Sequence, residues 1–240
     1  AYRKNGQPAE AKKVYDAILG LKPEEKDAYF LRGSAELELG DYESAKADFD
    51  KAISMDPKNY DRLIEIYEAL ADYGYREVGQ EYLQNVLNTA KQLDSYDSGR
   101  IYYYLGDYQK AYLALEEAKG KGGVDSYLYL GKAYAATGDY NYASSVYSNY
   151  LSKQGPDAEI YNQLGLCEMA KKDYQKALEA FQAGKQIEGN SLMQTLSFNE
   201  IVAYEYLQDY QKAAVLLKAY LQNYPDDQAA IREQQFLSTR

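Results

Sequence analysis

The apolar residues of this 240-residue sequence recur, over most of its length, with the spacing of an amphipathic α-helix. In the segment 161–169, for example, Tyr161, Leu164 and Gly165 fall on one side of a helix. Spacing of i, i+3, i+4 and i+7 is typical of a helix with one buried face. Short polar turns interrupt the pattern at regular intervals. The pattern predicts an all-α protein of about fourteen helices.

One of these turns, Gly-Asp-Tyr, recurs along the chain. It begins at Gly40, Gly106 and Gly138, and variants of it begin at Gly74, Lys172 and Gln208. Successive turns are separated by 34, 32, 32, 34 and 36 residues. A period in this range indicates an array of helical hairpins. We therefore predict that each turn joins the two helices of one hairpin.

The segment 26–59 shows the repeating unit most clearly. Aromatic and small residues follow one another in the order Tyr29, Gly33, Gly40, Ala45, Phe49 and Ala52, and Pro57 closes the unit. This order resembles the tetratricopeptide repeat, a pair of helices that stacks on its neighbours. The resemblance implies an all-α fold, an α-α superhelix or right-handed solenoid of about six such hairpins.

By register, the resemblance covers nearly the whole chain as a single domain, 1–240. The repeats are predicted at 26–59, 60–91 (degenerate), 92–123, 124–157, 158–191 and 194–227, with a partial repeat at 1–25 and a cap helix at 228–240. A repeat array needs such a cap to cover its last apolar face.

Small residues occupy two registers of the predicted hairpins. The first register holds Gly33, Gly99, Gly131 and Gly165, and the second holds Ala45, Ala111, Ala143, Ala177 and Ala213. A glycine inside a helix costs about 1 kcal/mol relative to alanine. Its recurrence therefore indicates that the two helices of a hairpin approach closely, with larger side chains filling the remaining space.

The charge of the chain limits the classes of partner that it is expected to bind. The net charge is −10, and residues 24–97 hold 18 acids against 8 Lys or Arg. Because an acidic chain repels phosphate backbones, we expect no nucleic-acid partner. No run of 18 apolar residues occurs, so we expect no membrane-spanning segment in this chain.

The residue types argue against catalysis. The sequence has no histidine, which is the commonest general base and metal ligand. Its one cysteine, Cys167, lies mid-helix without a neighbouring activating group, which predicts a buried apolar role. The glycine-rich segment 118–126 lacks the spacing of a phosphate loop and is predicted to be a turn. We therefore predict no enzymatic activity, no cofactor and no metal site.

The remaining candidate for function is a surface. In the family that the sequence resembles, the first helices of successive hairpins line a concave groove that usually binds a peptide or protein segment. The residues that this resemblance places in the groove are Phe30, Ser34, Ile64, Glu68, Tyr96, Arg100, Tyr103, Leu128, Lys132, Asn162, Leu166, Phe198 and Val202.

Two features of this set are hypotheses of their own. Phe30, Ile64, Leu128 and Phe198 are equivalent in register and predict an apolar seam; the alternative is that the superhelix buries them itself. Arg100 is predicted to join Lys132 in a cationic spot beside Tyr96 and Tyr103. The alternative for Arg100 is a surface ion pair with Glu68.

The function predicted from the resemblance is a non-catalytic scaffold that binds a protein or peptide segment. The alternative is a peptide-sensing regulatory module of a larger signalling or transcription-control chain. Family members that dock chaperone tails use Lys and Asn on this face, whereas Asp27 and Asp61 stand at early positions here, which favours a basic partner. The resemblance further predicts a bacterial protein, extracytoplasmic and lipid-anchored, rather than cytoplasmic.

Overall fold

The computed structural model describes residues 6–239. Within them the chain forms fourteen α-helices and no β-strand, so the all-α helical-repeat prediction is confirmed. The helices are α1 (Pro8–Leu21), α2 (Lys26–Glu38), α3 (Tyr42–Met55), α4 (Tyr60–Asp72), α5 (Arg76–Thr89), α6 (Ser95–Leu105), α7 (Tyr108–Glu117), α8 (Val124–Ala136), α9 (Tyr140–Gln154), α10 (Ala158–Ala170), α11 (Tyr174–Lys185), α12 (Met193–Tyr206), α13 (Tyr210–Asn223) and α14 (Gln228–Leu237).

The helices pack into two compact units, Ala1–Gly106 and Asp107–Arg240. The boundary between the units falls in the turn between α6 and α7, inside the predicted repeat 92–123. Each unit is described by itself below. The single domain and the repeat boundaries stay predictions.

In the first unit each helix from α1 to α6 packs against the next one along the chain. The core lies between these consecutive helices. One part of it is formed by Leu37, Ala45, Phe49, Ile66 and Leu70, and the next by Leu63, Ile64, Tyr67, Leu83 and Ile101. The unit therefore has a chain of small cores and no single thick one.

The second unit repeats this arrangement from α7 to α14. Its cores are formed by Leu128, Ala143, Tyr147, Ile160 and Cys167, by Ala177, Leu178, Phe181, Leu196 and Ala203, and by Ile201, Ala213, Leu217, Tyr220, Ala230 and Leu237. The last of these includes two residues of α14, so this helix covers the apolar face of α13 as the predicted cap.

The recurring turn ends one helix and begins the next. Its first residue lies in the left-handed backbone region in all six copies, where a helix commonly ends. The φ angles are 79° at Gly40, 87° at Gly74, 81° at Gly106, 85° at Gly138 and 63° at both Lys172 and Gln208. In five copies the second residue is an Asp whose carboxylate accepts a hydrogen bond from a backbone N–H of the following helix, as Asp41 does from Ser44.

The glycine register brings the two helices of a hairpin together, as predicted. A β-carbon added to Gly33 would lie 2.8 Å from Cε1 of Phe49. At Gly131 and Gly165 the added atom would overlap the rings of Tyr147 and Phe181. The aromatic residue four positions after the alanine register therefore occupies the space that glycine leaves.

Candidate functional site

The candidate site is the surface of the first helix of each hairpin, which we call the first-helix face. In the first unit it is formed by α2, α4 and α6, and α4 contacts both of its neighbours. In the second unit it is formed by α8, α10 and α12, and α8 contacts α10. Within each unit, successive first helices are thus neighbours in space, as the predicted groove requires.

In the first unit, ion pairs join the first helices. Arg62 on α4 donates to Asp27 on α2 at 2.8 Å, and Arg100 on α6 donates to Asp61 on α4 at 2.5 Å. Arg62 also pairs with Glu65 one turn along its own helix at 2.8 Å. Both arginines are therefore held by carboxylates of this face.

The arginines also lie over aromatic rings. The guanidinium carbon of Arg62 is 4.0 Å from the ring centre of Phe30, and that of Arg100 is 4.4 Å from the ring centre of Tyr96. Cation–π contacts at this distance add to the hold on each guanidinium. Phe30 and Tyr96, two of the predicted groove residues, are half-buried, and their rings stabilise the arginines of these ion pairs.

Arg100 is buried, with 7% of its surface exposed. Besides Asp61 it donates to Asp97 at 2.5 Å. Burial opposes its charge, but these hydrogen bonds outweigh burial and raise the pKa of Arg100 above its ordinary value. The pair with Glu68 considered from the sequence is wrong. Glu68 instead accepts a hydrogen bond from the hydroxyl of Tyr104 at 2.5 Å.

The predicted cationic spot is not supported. Arg100 lies in the first unit and is neutralised there, whereas Lys132 lies in the second unit, 3.5 Å from Glu159 on α10. Each cation already has a carboxylate partner within its own unit. The sequence pattern missed Asp61 and Glu159 because each lies on a different helix from its cation.

The thirteen predicted groove residues divide by burial. Five are buried: Ser34, Ile64, Arg100, Leu128 and Asn162. Six are half-buried: Phe30, Tyr96, Tyr103, Lys132, Phe198 and Val202. Glu68 and Leu166 are exposed. The five buried residues were expected to face solvent in the groove, and for them that expectation is wrong.

The burial of these five has physical causes. Ile64 and Leu128 belong to the cores of their units, so the apolar seam is interrupted at both, as the alternative interpretation held. The hydroxyl of Ser34 donates to the carbonyl oxygen of Phe30 at 2.9 Å. Asn162 on α10 accepts a hydrogen bond from Asn199 on α12 at 2.9 Å. These polar groups stabilise the helices and their stacking.

The first-helix face of the first unit exposes several carboxylates. The side chain of Asp61 is 78% exposed, that of Asp27 is 55% exposed and that of Glu65 is 51% exposed. Glu68 is exposed beside them on α4. The acid excess of residues 24–97 was the sequence signal for this surface.

The structure adds little chemistry to this surface. Cys167 is buried as predicted, and burial raises the pKa of its thiol to about 11. Among residues 6–239, no three His, Cys, Asp or Glu side chains are grouped so as to hold a metal ion. In the same part of the chain, no helix has the length and apolar character needed to cross a membrane.

Two tetratricopeptide-repeat family models match the sequence, one over residues 1–60 and 128–191 and the other over residues 198–227. The first alone covers more than half of the chain. The chain belongs to the tetratricopeptide repeat family. Such repeats are generally protein–protein interaction scaffolds, and no enzyme family is evident. None of the curated proteins matches the sequence.

Solved structures of this family are similar in fold. A tetratricopeptide repeat protein from Parabacteroides merdae aligns over 100% of this chain and 95% of its own, with 15% identity and a TM-score of 0.68. YrrB, described as a TPR protein with an unusual peptide-binding site, aligns over 94% of this chain and 100% of its own, with 18% identity and a TM-score of 0.51.

A chain of the APC/C hetero-tetramer Cut9-Hcn1 aligns over 98% of this chain, with 18% identity and a TM-score of 0.59. This chain spans about half of that one, 47% of its length. At these identities the likeness is one of fold alone.

Proposed function

We propose that the chain binds a basic protein or peptide segment on the first-helix face of its hairpins, as a non-catalytic scaffold. The observation that carries this proposal is the charge of that face in the first unit. Asp61, Glu65 and Glu68 are exposed on α4, where Arg62 is the one basic residue. Asp61 pairs with Arg100 and Glu65 with Arg62, and the face keeps an excess of negative charge. A basic segment meets complementary charge here, and an acidic one meets repulsion.

The geometry of the neighbouring helices supports the same proposal. Asp27 on α2 adds a fourth exposed carboxylate beside those of α4, because Arg62 holds the two helices in register at this point. Exposed charges of this kind chiefly set the rate and specificity of association. We therefore expect binding that weakens steeply as salt is added.

The experiment uses the full chain and three fluorescent peptides of equal length, one rich in Lys and Arg, one neutral and one rich in Asp and Glu. Fluorescence anisotropy at low and physiological salt gives the affinity of each. We expect the basic peptide to bind most tightly. Replacing Glu65 and Glu68 together by Gln weakens this binding by about three- to tenfold, since each exposed charge is worth under about 1 kcal/mol.

The matched control replaces Glu43 and Glu81 by Gln. These two acids are exposed on α3 and α5, the second helices of the same hairpins, so the net charge changes equally. The proposal is wrong if the control weakens binding as much as the Glu65→Gln/Glu68→Gln variant does, or if the three peptides bind alike.

A regulatory module of a larger chain would use the same face. It would differ because peptide binding there would change the activity of another domain. That alternative, the bacterial source and the lipid anchor stay predictions from the family resemblance.

A further inference from the structure

An open cavity of about 540 Å³ lies in the second unit where α14 covers the last hairpin. Three helices line it: Val202, Glu205 and Tyr206 come from α12, Tyr210 from α13, and Glu233 and Phe236 from α14. Glu233 lies 28 residues after Glu205, and it is the packing of α14 that brings the two acids together.

The two carboxyl groups of the cavity have no cationic partner among the residues that the structure describes. Glu205 and Glu233 interact directly, and Oε1 of Glu205 is buried without a hydrogen-bond partner in the described chain. No Lys or Arg within residues 6–239 forms an ion pair with either of them. Burial, and then the charge of Glu233, raise the pKa of Glu205 to about 7. Near neutral pH the carboxyl group of Glu205 is therefore partly protonated.

The walls of the cavity are aromatic. The rings of Tyr210 and Phe236 meet edge to face with centres 6.4 Å apart. Tyr206 is 57% exposed and Phe236 is 40% exposed, so both rings are accessible from solvent. The faces of aromatic rings attract cations, and Val202 offers apolar surface to a hydrocarbon stem.

We propose that this cavity binds the cationic end of a Lys or Arg side chain. Two carboxyl groups without a counter-ion and three aromatic rings at one opening are complementary to a positive group on an apolar stem. The source of that side chain, a basic segment bound by the chain, rests on the proposed function. The cavity would then be an anchoring pocket of the second unit.

Binding of a cation favours the ionised form of Glu205, so the proton bound to this carboxyl group is released. The titratable groups that face Glu205 are Glu233 on α14, Tyr206 on its own helix and Tyr210 on α13. With a pKa of about 7, the carboxyl group of Glu205 changes charge between pH 6 and pH 8. The affinity for the cation is therefore expected to rise across this interval.

The test titrates the full chain with single-residue probes: N-acetyl-lysine N-methylamide, its arginine counterpart, and the Nε-acetylated lysine derivative, which has lost its charge. Two-dimensional NMR follows the backbone amides. We expect millimolar binding of at least one cationic probe, with shifts concentrated in α12 and α14. The acetylated probe is expected to give no such shifts.

Replacing Glu205 and Glu233 together by Gln keeps their shape and removes their charge, and is expected to weaken the cationic probe by tenfold or more. The matched control replaces Glu117 and Glu179, exposed acids on α7 and α11, by Gln and leaves the affinity unchanged. The inference is overturned if neither cationic probe binds, if the acetylated probe binds equally, or if the Glu205→Gln/Glu233→Gln variant binds as the parent chain does.

The two proposals fail separately. Probe binding in the cavity without binding of any basic peptide would overturn the proposed function and leave the cavity as a cation site. Binding of a basic peptide that depends on Glu65 and Glu68, with no probe binding, would overturn the cavity inference alone.

Discussion

A β-carbon added to Gly79 on α5 would lie 2.9 Å from Cδ2 and 3.2 Å from Cα of Tyr67 on α4. Tyr67 stands 34 residues after Gly33, and Gly79 stands 34 residues after Ala45, so both are equivalent in register to residues of the preceding hairpin. There the glycine is on the first helix and faces the ring of Phe49 on the second. In α4 and α5 the large and small residues have exchanged helices.

This exchange explains how the degenerate segment 60–91 keeps the close approach of its helices. We expect Gly79→Ala to lower the free energy of unfolding by about 1–3 kcal/mol, because the backbone of Tyr67 cannot move away from the added methyl group. Urea denaturation followed by circular dichroism measures the change.

Gly20 provides the control for this substitution. It also lies in a helix, α1, but an added β-carbon meets nothing within 4 Å. Gly20→Ala is expected to be neutral or to stabilise by up to about 1 kcal/mol. Equal effects at Gly20 and Gly79 would contradict the packing argument.

Two copies of the recurring turn hold a residue with a side chain in the left-handed region. Lys172 and Gln208 both have φ of 63°. This conformation costs a residue with a β-carbon about 1–2 kcal/mol. Glycine avoids that cost, but its unfolded chain has more conformational freedom to lose on folding, which offsets part of the gain. We expect Lys172→Gly and Gln208→Gly each to stabilise the protein by about 0.5–1 kcal/mol, measured as an increase in the urea midpoint. Gly138→Ala, at the same turn position, is expected to destabilise by a similar amount, and a gain there would refute the explanation.

The sequence predicted the features that depend on neighbours in the chain. The Gly-Asp-Tyr turns and the Gly33 and Ala45 registers are local signals, since each acts within one hairpin. The long-range partner of Arg100 was not predictable in the same way. Asp61 lies 39 residues before it, and only the stacking of α4 on α6 brings them together. The same limit explains why Ile64 was expected in the groove and lies in the core, because the face that a helix buries depends on the rotation of its neighbours.

The burial of Arg100 leads to a prediction that separates it from Lys132. Charge reversal by Arg100→Glu places a third carboxyl beside Asp61 and Asp97 in a buried position. We expect it to lower the free energy of unfolding by more than about 2 kcal/mol. Lys132→Glu acts on a half-buried residue with a single carboxylate partner at 3.5 Å, so we expect a loss of under about 1 kcal/mol. Thermal unfolding at constant pH measures the stability of both variants. Similar losses would contradict the greater burial of Arg100.

Glu205 leads to a prediction about pH. Its pKa is raised to about 7 in the folded chain by burial and by Glu233, while the unfolded chain releases this proton near the ordinary value for a carboxyl group. Between those two pH values the folded state binds more protons than the unfolded state, so the stability due to this group falls as the pH rises. Glu205→Gln removes the cost of ionising the buried group. We expect the variant to be more stable than the parent chain by about 1–3 kcal/mol at pH 8 and equal to it at pH 4, with the difference growing between. Glu179→Gln, an exposed acid on α11, is expected to show no such trend. A difference between the Glu205→Gln variant and the parent chain that is the same at both pH values would mean that the pKa of Glu205 is not raised in the folded chain.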